Sequence, residues 1–364
     1  MLNALRSLVV RASLPSGSRD ERSKCKLLLA ILEGCPTFAL DYSQKKGRLI
    51  IMHAQEEHST PATLFRCPSP TPLTFTANIM KKLLFQLDTD VHPAVFDAVV
   101  AYDGGADHVI GHGAVTPETV APLVEGAIFT RAPKYKKNTA LFVGGSDLTT
   151  GEALLQTIRA QFFLDFRVSV MLDSNGCNTT AAATVAKLAT SGTIAGKRAV
   201  VLAGSGPVGQ RAAVMLAKEG ADVALTSRQM SRAQAACQAM KERFGVEPEP
   251  IEAASNAARG KAIEDAQVVV ATGLAGAQLL NIRHWKNNSS IELIADANTT
   301  PPLGIEGIDM MDRGTERHGK IVWGAIGFGA LKLKLQRACI GKLFESNNRI
   351  LDAEEIFAIA KTMA

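Results

Sequence analysis

The hexapeptide Gly204-Ser205-Gly206-Pro207-Val208-Gly209 has the plainest chemical meaning in the chain. The strand pattern "RAVVL" precedes it, "VGQRAAVMLAKEG" runs on as a helix, and "DVALTSR" reads as a second strand. In that setting the first glycine permits a tight turn and the second lets a pyrophosphate approach the backbone. The third lets helix and strand pack closely. The helix then points its N-terminal amides at phosphate charge. The predicted ligand is a dinucleotide, held by all six residues and by Gly273 at the end of the strand pattern "AQVVVATG". The second strand ends at Thr226-Ser227-Arg228, about 20 residues beyond the loop, where an NAD site places an acidic residue. A carboxylate there accepts from the ribose 2′-hydroxyl and repels a 2′-phosphate. Arg228 instead donates to such a phosphate, with Ser227 as a further donor. Thr226, Ser227 and Arg228 therefore favour NADP. NAD stays open, as does the plainer reading of Arg228 as a surface residue.

A nicotinamide needs a reaction partner, and ligands of open α/β sheets bind beyond the carboxyl ends of strands. Carboxylates are expected at those ends: Asp88 and Asp90 follow "LLFQL", and Asp103 and Asp107 flank the glycines of "YDGGADH". Asp173 and Asn175 follow "RVSVML" in the same way. Asp90 reads equally well as a helix N-cap ahead of Pro93, and Asp103 and Asp107 as turn residues. His108 and His112 form an H-x-x-x-H pair, but Gly111 and Gly113 break any helix that would align them, so no metal site is expected. In "ALKLKLQRACIGKLF", plotted at about 100° per residue, Lys334 and Arg337 share a polar side while Lys332 falls among Leu335, Cys339 and Leu343. A lysine on an apolar face reaches a ligand or a carboxylate, or it snorkels out from the helix edge. The glycine-rich "GAIGFGA" just before it reads as a close-approach loop. Lys332 is the leading catalytic candidate.

These residues hang on alternating elements. "KLLFQL", "GAIFTR", "TALFVGG", "RVSVML", "SIELIADAN" and "KIVWGAIG" read as strands. "VHPAVFDAVVAY", with Pro93 in its first turn, "TTGEALLQTIRAQFF" and "DSNGCNTTAAATVAKLA" read as helices, the last capped by Asn178 or Thr179. Final helices are expected from near Gly329 and over 352–362. The class is α/β, with mostly parallel sheet covered by helices on both faces. At 364 residues the chain has room for two domains, and 46% apolar with 21% charged residues argues against disorder. Most of the +5 formal charge lies in residues 1–79, which leaves about +1 elsewhere, too little for a nucleic-acid surface. No uninterrupted apolar run reaches membrane-spanning length. The six cysteines, Cys25, Cys35, Cys67, Cys177, Cys237 and Cys339, form no C-x-x-C pair, which suggests a reducing, cytoplasmic setting. Residues 1–79 lack strand–helix alternation. Their first 19 residues superficially resemble a transit peptide, but an extension without a fold of its own, ahead of a natural start at Met80, is the expected reading.

With these stretches in view, residues 80–364 resemble the NADP-dependent methylenetetrahydromethanopterin dehydrogenases of methylotrophic bacteria. The matching runs are "KKLLFQLDTD", "YDGGADH", "MLDSNGCNTTAAA", "VVLAGSGPVG", "ADANTTPPLGIEGID" and "GALKLKLQRACIGKLFES". The resemblance implies two α/β domains with a cleft between them. A pterin domain would comprise residues 80–177 and 333–364, and a Rossmann-type NADP domain residues 178–332. It implies oxidation of N5,N10-methylene-tetrahydromethanopterin to the methenyl cation, with NADP or NAD as acceptor, by a cytoplasmic homo-oligomer in formaldehyde oxidation. On this analogy Phe96 and Lys332 contact the pterin, whereas periodicity alone makes Phe96 a core residue. Some relatives use NADP alone and some both cofactors, and some accept tetrahydrofolate. The alternatives are a methylene-tetrahydrofolate dehydrogenase, a shikimate- or quinone-type NADP reductase, and an NADP-binding regulator without chemistry.

Overall fold

Short strands buried on both faces need a helix after each of them, and the chain supplies that alternation twice. The computed structural model describes residues 80–364 and, upstream, two short strands, Arg11–Ser13 and Arg48–Ile50, which pair antiparallel. Apart from that strand pair, the expectation for residues 1–79 lies outside the described residues.

The first sheet holds β1 (Leu83–Asp88), β2 (His108–His112), β3 (Thr139–Gly144) and β4 (Ser169–Leu172), closed by the late strand Ile350–Leu351. Its order is Ile350–Leu351, β4, β3, β1, β2, and every pairing is parallel. Helices α1 (Val95–Asp103), α2 (Ala121–Phe129) and α3 (Leu148–Ala160) connect these strands. The second sheet holds β5 (Arg198–Leu202), β6 (Asp222–Ser227), β7 (Glu249–Glu252), β8 (Val268–Ala271), β9 (Leu293–Asp296), β10 (Arg313–Arg317) and β11 (Lys320–Gly324). Its order, β10-β11-β9-β8-β5-β6-β7, reverses beside β5, the switch point where such sheets bind ligands. Within this sheet only the edge hairpin β10–β11 is antiparallel.

Between the sheets runs α4 (Cys177–Ser191), buried from Cys177 to Leu188 on nearly every side. Its "TTAAATVAKLA" is alanine-rich because a helix covered all round has no room for larger side chains. The remaining helices are α5 (Pro207–Lys218), α6 (Met230–Phe244), α7 (Asn256–Ala262), α8 (Ala325–Leu343) and α9 (Ala353–Lys361).

Several expectations need correction. "GAIFTR" is not a strand: it ends α2, whose Val124, Ala127 and Ile128 recur at helical spacing and are buried. "HVIGH" is a strand, hidden from the sequence because it is an edge with three exposed residues, one of them a glycine. Helix α1 begins at Val95, so Pro93 precedes its first turn. Helix α4 is capped by neither Asn178 nor Thr179. Their backbone N–H groups instead donate to Asp173 Oδ1 at 2.9 and 3.0 Å. Helix α8 begins at Ala325, so "GAIGFGA" is helical. Its close approach is to the chain itself, since a Cβ on Gly327 would lie 1.8 Å from Asp312 O.

One polar network ties helices of both sheets together. Arg211 of α5 is 1% exposed, and its Nε donates to Asn178 Oδ1 at 2.8 Å. Its Nη2 bonds Glu152 of α3. Arg243 of α6 lies 2.6 Å from Glu152 Oε1 and 2.5 Å from Asp352 Oδ2, ahead of α9. Burial alone would raise the Asp352 carboxyl, but Arg211 and Arg243 hold it below its usual value. Replacing Arg211 with Met leaves Glu152 and Asp352 short of a partner, and is expected to cost about 3–5 kcal/mol in thermal or urea denaturation. Lys218→Ala, which breaks the exposed Lys218–Glu354 pair, should cost under about 1 kcal/mol. Equal midpoints for the two variants would remove the network from any account of stability.

Candidate functional site

The carboxyl ends of β5, β6 and β8 open on a cavity of about 970 Å³. Ser205, Gly206, Pro207, Val208, Thr226, Ser227, Arg228 and Gly273 line it, and Asn175 reaches it from the first sheet. Gly204 sits buried in the turn, and its N–H donates to Thr226 O at 2.9 Å. A Cβ on Gly209 would come within 2.5 Å of Gly204 Cα, so helix and loop touch only because both are glycine. A Cβ on Gly206 would meet nothing within 4 Å, because its open side faces the cavity. Gly206 caps α5 without a side-chain acceptor and Pro207 opens the helix, which leaves its first amides for an anion. Volume, loop and helix end together fit a dinucleotide.

At the far end Ser227 Oγ lies 3.3 Å from Ser205 Oγ, while Thr226 Oγ1 accepts from Ala203 N–H at 3.0 Å and so shapes the loop. Arg228 is exposed at the cavity wall. Arg232, four residues on and exposed on the same wall, was missed. Arg259 also lines this end, but its guanidinium donates to Leu279 O at 2.5 Å and Ala253 O at 3.2 Å.

The carboxylates are divided between the two ends of the first sheet. Asp103 ends α1 and pairs with Arg337 at 2.7 Å. Asp107 stands just before β2 and accepts from Lys82 N–H at 2.7 Å. Both lie at the amino ends of parallel strands, so the expectation that they face the ligand end does not hold. Their "DGGAD" is the turn that returns α1 to β2. Asp88, Asp90 and Asp173 do lie at carboxyl ends, yet each is engaged. Asp88 accepts from the N–H groups of Asp90 and Ala94 at 2.9 and 3.0 Å. Asp90 is no helix cap: it accepts from Ser146 Oγ at 2.8 Å and so joins two loops. Besides the two amides of α4, Asp173 accepts from Thr179 Oγ1 at 2.7 Å. Asn175 has a left-handed backbone (φ 54) and donates its N–H to Gly145 O at 2.6 Å. His112 stacks on Phe85 with ring centroids 6.3 Å apart.

Lys332 does not run out to water. Its Nζ lies 4.1 Å from the Phe96 ring centroid and donates to Gln336 Oε1 at 2.7 Å. Gln336 Nε2 donates in turn to Asp97 Oδ1 at 2.8 Å. A Cβ on Gly176, the neighbour of Asn175, would lie 3.6 Å from Lys332 Nζ. Burial lowers the Lys332 ammonium pKa, while Asp173 and Asp97 pull it back up. Burial, helped by the charge of Asp173, pushes Asp97 up to about 6 against the Gln336 hydrogen bond and Lys332. Asp173 is raised too, chiefly by burial. Phe96 is 52% exposed and belongs to no core. Asp97 and Gln336 were missed; the available signal was Gln336 at i+4 from Lys332, on the same helix face.

A sequence profile described as "Methylene-tetrahydromethanopterin dehydrogenase, N-terminal" matches residues 95–175. The chain is 54% identical over 286 residues to "Bifunctional protein MdtA" of Methylorubrum extorquens, covering 78% of this chain and 99% of that one. It is 30% identical over 294 residues to the "NAD(P)-dependent methylenetetrahydromethanopterin dehydrogenase" of the same organism, covering 78% of this chain and 99% of that one. Among solved structures it is similar to a shikimate 5-dehydrogenase from Mycobacterium fortuitum, with TM-score 0.45 and 17% identity over 76% of this chain and 97% of that one.

The two glycines make separable predictions. Gly206→Ala should leave the denaturation midpoint unchanged while weakening dinucleotide binding, because its methyl occupies the space beside the helix end. Gly209→Ala should lower the midpoint itself, since loop backbone has to move. Calorimetry with NADP, run beside a melt of each variant, reads both. Full NADP affinity in Gly206→Ala would rule out a phosphate seat at this loop.

Proposed function

The chain belongs to the methylenetetrahydromethanopterin dehydrogenase family, and we propose that it oxidises N5,N10-methylene-tetrahydromethanopterin with NADP as acceptor. NAD is the second acceptor to be tested. The reading includes a role in one-carbon (formaldehyde) oxidation and a cytoplasmic homo-oligomer. Among the described residues no helix is long and apolar enough to cross a membrane. One observation carries the reading. Asn175 lines the dinucleotide cavity, and its neighbour Gly176 stands against Lys332 on the Phe96 ring, so an aromatic, cationic surface adjoins the place for a nicotinamide.

Bound NADP supplies the hydride acceptor. In the donor, the methylene carbon lies between two nitrogens. Its C–H electron pair leaves as hydride, a nitrogen lone pair fills the gap, and an amidinium cation remains. No proton moves, so no general base is needed, in keeping with carboxylates that are tied up in loops. The work of the chain is alignment, the largest lever for a two-substrate step. The Phe96 face and the Lys332 ammonium supply a stacking surface and a donor to pterin oxygen. Arg228 and Arg232 supply donors for a 2′-phosphate.

Reduced-nicotinamide absorbance after adding the methylene donor tests the whole reading. Tetrahydromethanopterin and tetrahydrofolate adducts, each with NADP and NAD, separate it from the folate alternative. Binding of NADP without turnover on either adduct would favour a regulator or another reductase. Arg228→Asp should raise the NADP KM strongly and leave NAD unchanged or improved, and an unaltered preference would sink the phosphate assignment. Lys332→Met keeps most packing volume and should lower kcat/KM for the donor at least about tenfold, roughly 1.4 kcal/mol of transition-state stabilisation. Lys334→Met, exposed on the same helix, should be near neutral. Equal, small effects of the two would take Lys332 out of the site.

A further inference from the structure

Asp97 stands apart from the other carboxylates at the ligand end, because no backbone cap or loop tie occupies it among the described hydrogen bonds. Its partner is the amide of Gln336, a side chain 1% exposed, whose other end meets Lys332. The two helices carrying this chain are locked at close range: a Cβ on Gly104, at the end of α1, would come within 2.7 Å of Ile340 of α8. An amide bridge has a direction. Its NH2 has to face an acceptor and its oxygen a donor, so an ionised Asp97 turns the Gln336 oxygen toward the Lys332 ammonium.

We infer that Asp97 is a positioning residue: through Gln336 it fixes the Lys332 ammonium on Phe96, and it carries the negative charge that favours a donor becoming a cation. The inference rests on the proposed function. Three charged groups face Asp97: Lys332 from α8, Asp173 from the end of β4, and Asp88 from the end of β1. With all of them ionised, the carboxylates outnumber the ammonium, which suits a substrate that gains positive charge during the step. Burial brings Asp97 to about 6. Below that pH the carboxyl carries a proton and can donate to the amide oxygen. The amide then no longer has an ionised acceptor that fixes its direction, so its oxygen is held less firmly toward Lys332 and the negative charge is lost. Above it both are restored.

The test compares the unaltered protein with Asp97→Asn and Gln336→Met in two measurements. In the first, kcat/KM for methylene-tetrahydromethanopterin is followed against pH with saturating NADP. The unaltered protein should lose activity below about pH 6. Asp97→Asn, which keeps the shape and an acceptor oxygen, should fall about tenfold or more at neutral pH and lose that acid limb. Gln336→Met should raise the donor KM several-fold, and NADP affinity should stay constant in both variants. In the second measurement, NMR titration of 13C-labelled lysine in the full chain reads Lys332 without any turnover, and its midpoint should drop in Asp97→Asn. An unmoved Lys332 midpoint, or an Asp97→Asn protein with the unaltered acid limb and turnover, would overturn the positioning role. Failure of the unaltered protein to reduce either nicotinamide would overturn the underlying function instead.

Discussion

Helix α4 is buried almost all round, so its amino-terminal amides cannot turn to water. The Asp173 carboxylate supplies what they need, accepting from two backbone N–H groups and a threonine hydroxyl at the first turn. An unpaired buried N–H costs about 1–3 kcal/mol, and a carboxylate at a helix start also meets the favourable end of the dipole. The price is a charge where no solvent reaches, which burial pushes toward its protonated form. Lys332 opposes that push. The helix joining the two sheets thus depends on a carboxylate, and the carboxylate is balanced by the lysine of the candidate site. Stability and chemistry share one charge.

That sharing bears on how the site is built. Hydride loss from a carbon between two nitrogens asks for no acid or base, only for alignment and a tolerant field. Asp88, Asp90 and Asp173 are therefore free to serve as struts holding the loops at the sheet's ligand end. In the proposed site the ligand meets an aromatic ring and an ammonium, Phe96 and Lys332. Helix α4 crosses between the sheets, and the network of Arg211, Glu152, Arg243 and Asp352 fixes helices of both. The distance between the glycine loop and Lys332 is thereby set by packed elements rather than by loops.

The dinucleotide half was legible because its instructions are local. Gly204, Gly206 and Gly209 each answer one steric demand, and the strand–turn–helix around them lies within about thirty residues. Strands β5, β6, β8, β9 and β11 of the second sheet read correctly for the same reason, as short apolar runs, whereas the edge strands β7 and β10, "EPIE" and "RGTER", carry no such run and went unread. Where the sequence misled, one local signal stood in for another. "GAIF" is apolar enough for a strand, but its burial follows helical spacing. "HVIGH" escaped notice because an edge strand keeps only part of the alternation. Asp103 and Asp107 were chosen by residue type, and only the direction of the strands shows that they face the wrong end.

Lys332 was visible from its helix alone, since an ammonium among Leu335, Cys339 and Leu343 needs an explanation. What explains it was not visible. Asp97 and Gln336 are 239 residues apart, and they meet because α1 and α8 pack at a distance that glycine permits. Neither residue looks unusual in its own segment: Asp97 resembles a surface acid on the first turn of a helix, and Gln336 an ordinary polar residue between Leu335 and Arg337. A motif is readable when one stretch of chain has to meet a ligand's geometry by itself. A charge balance is not, because each member makes sense only beside the others. The lysine marks where the balance is needed, and the fold decides which carboxylates provide it.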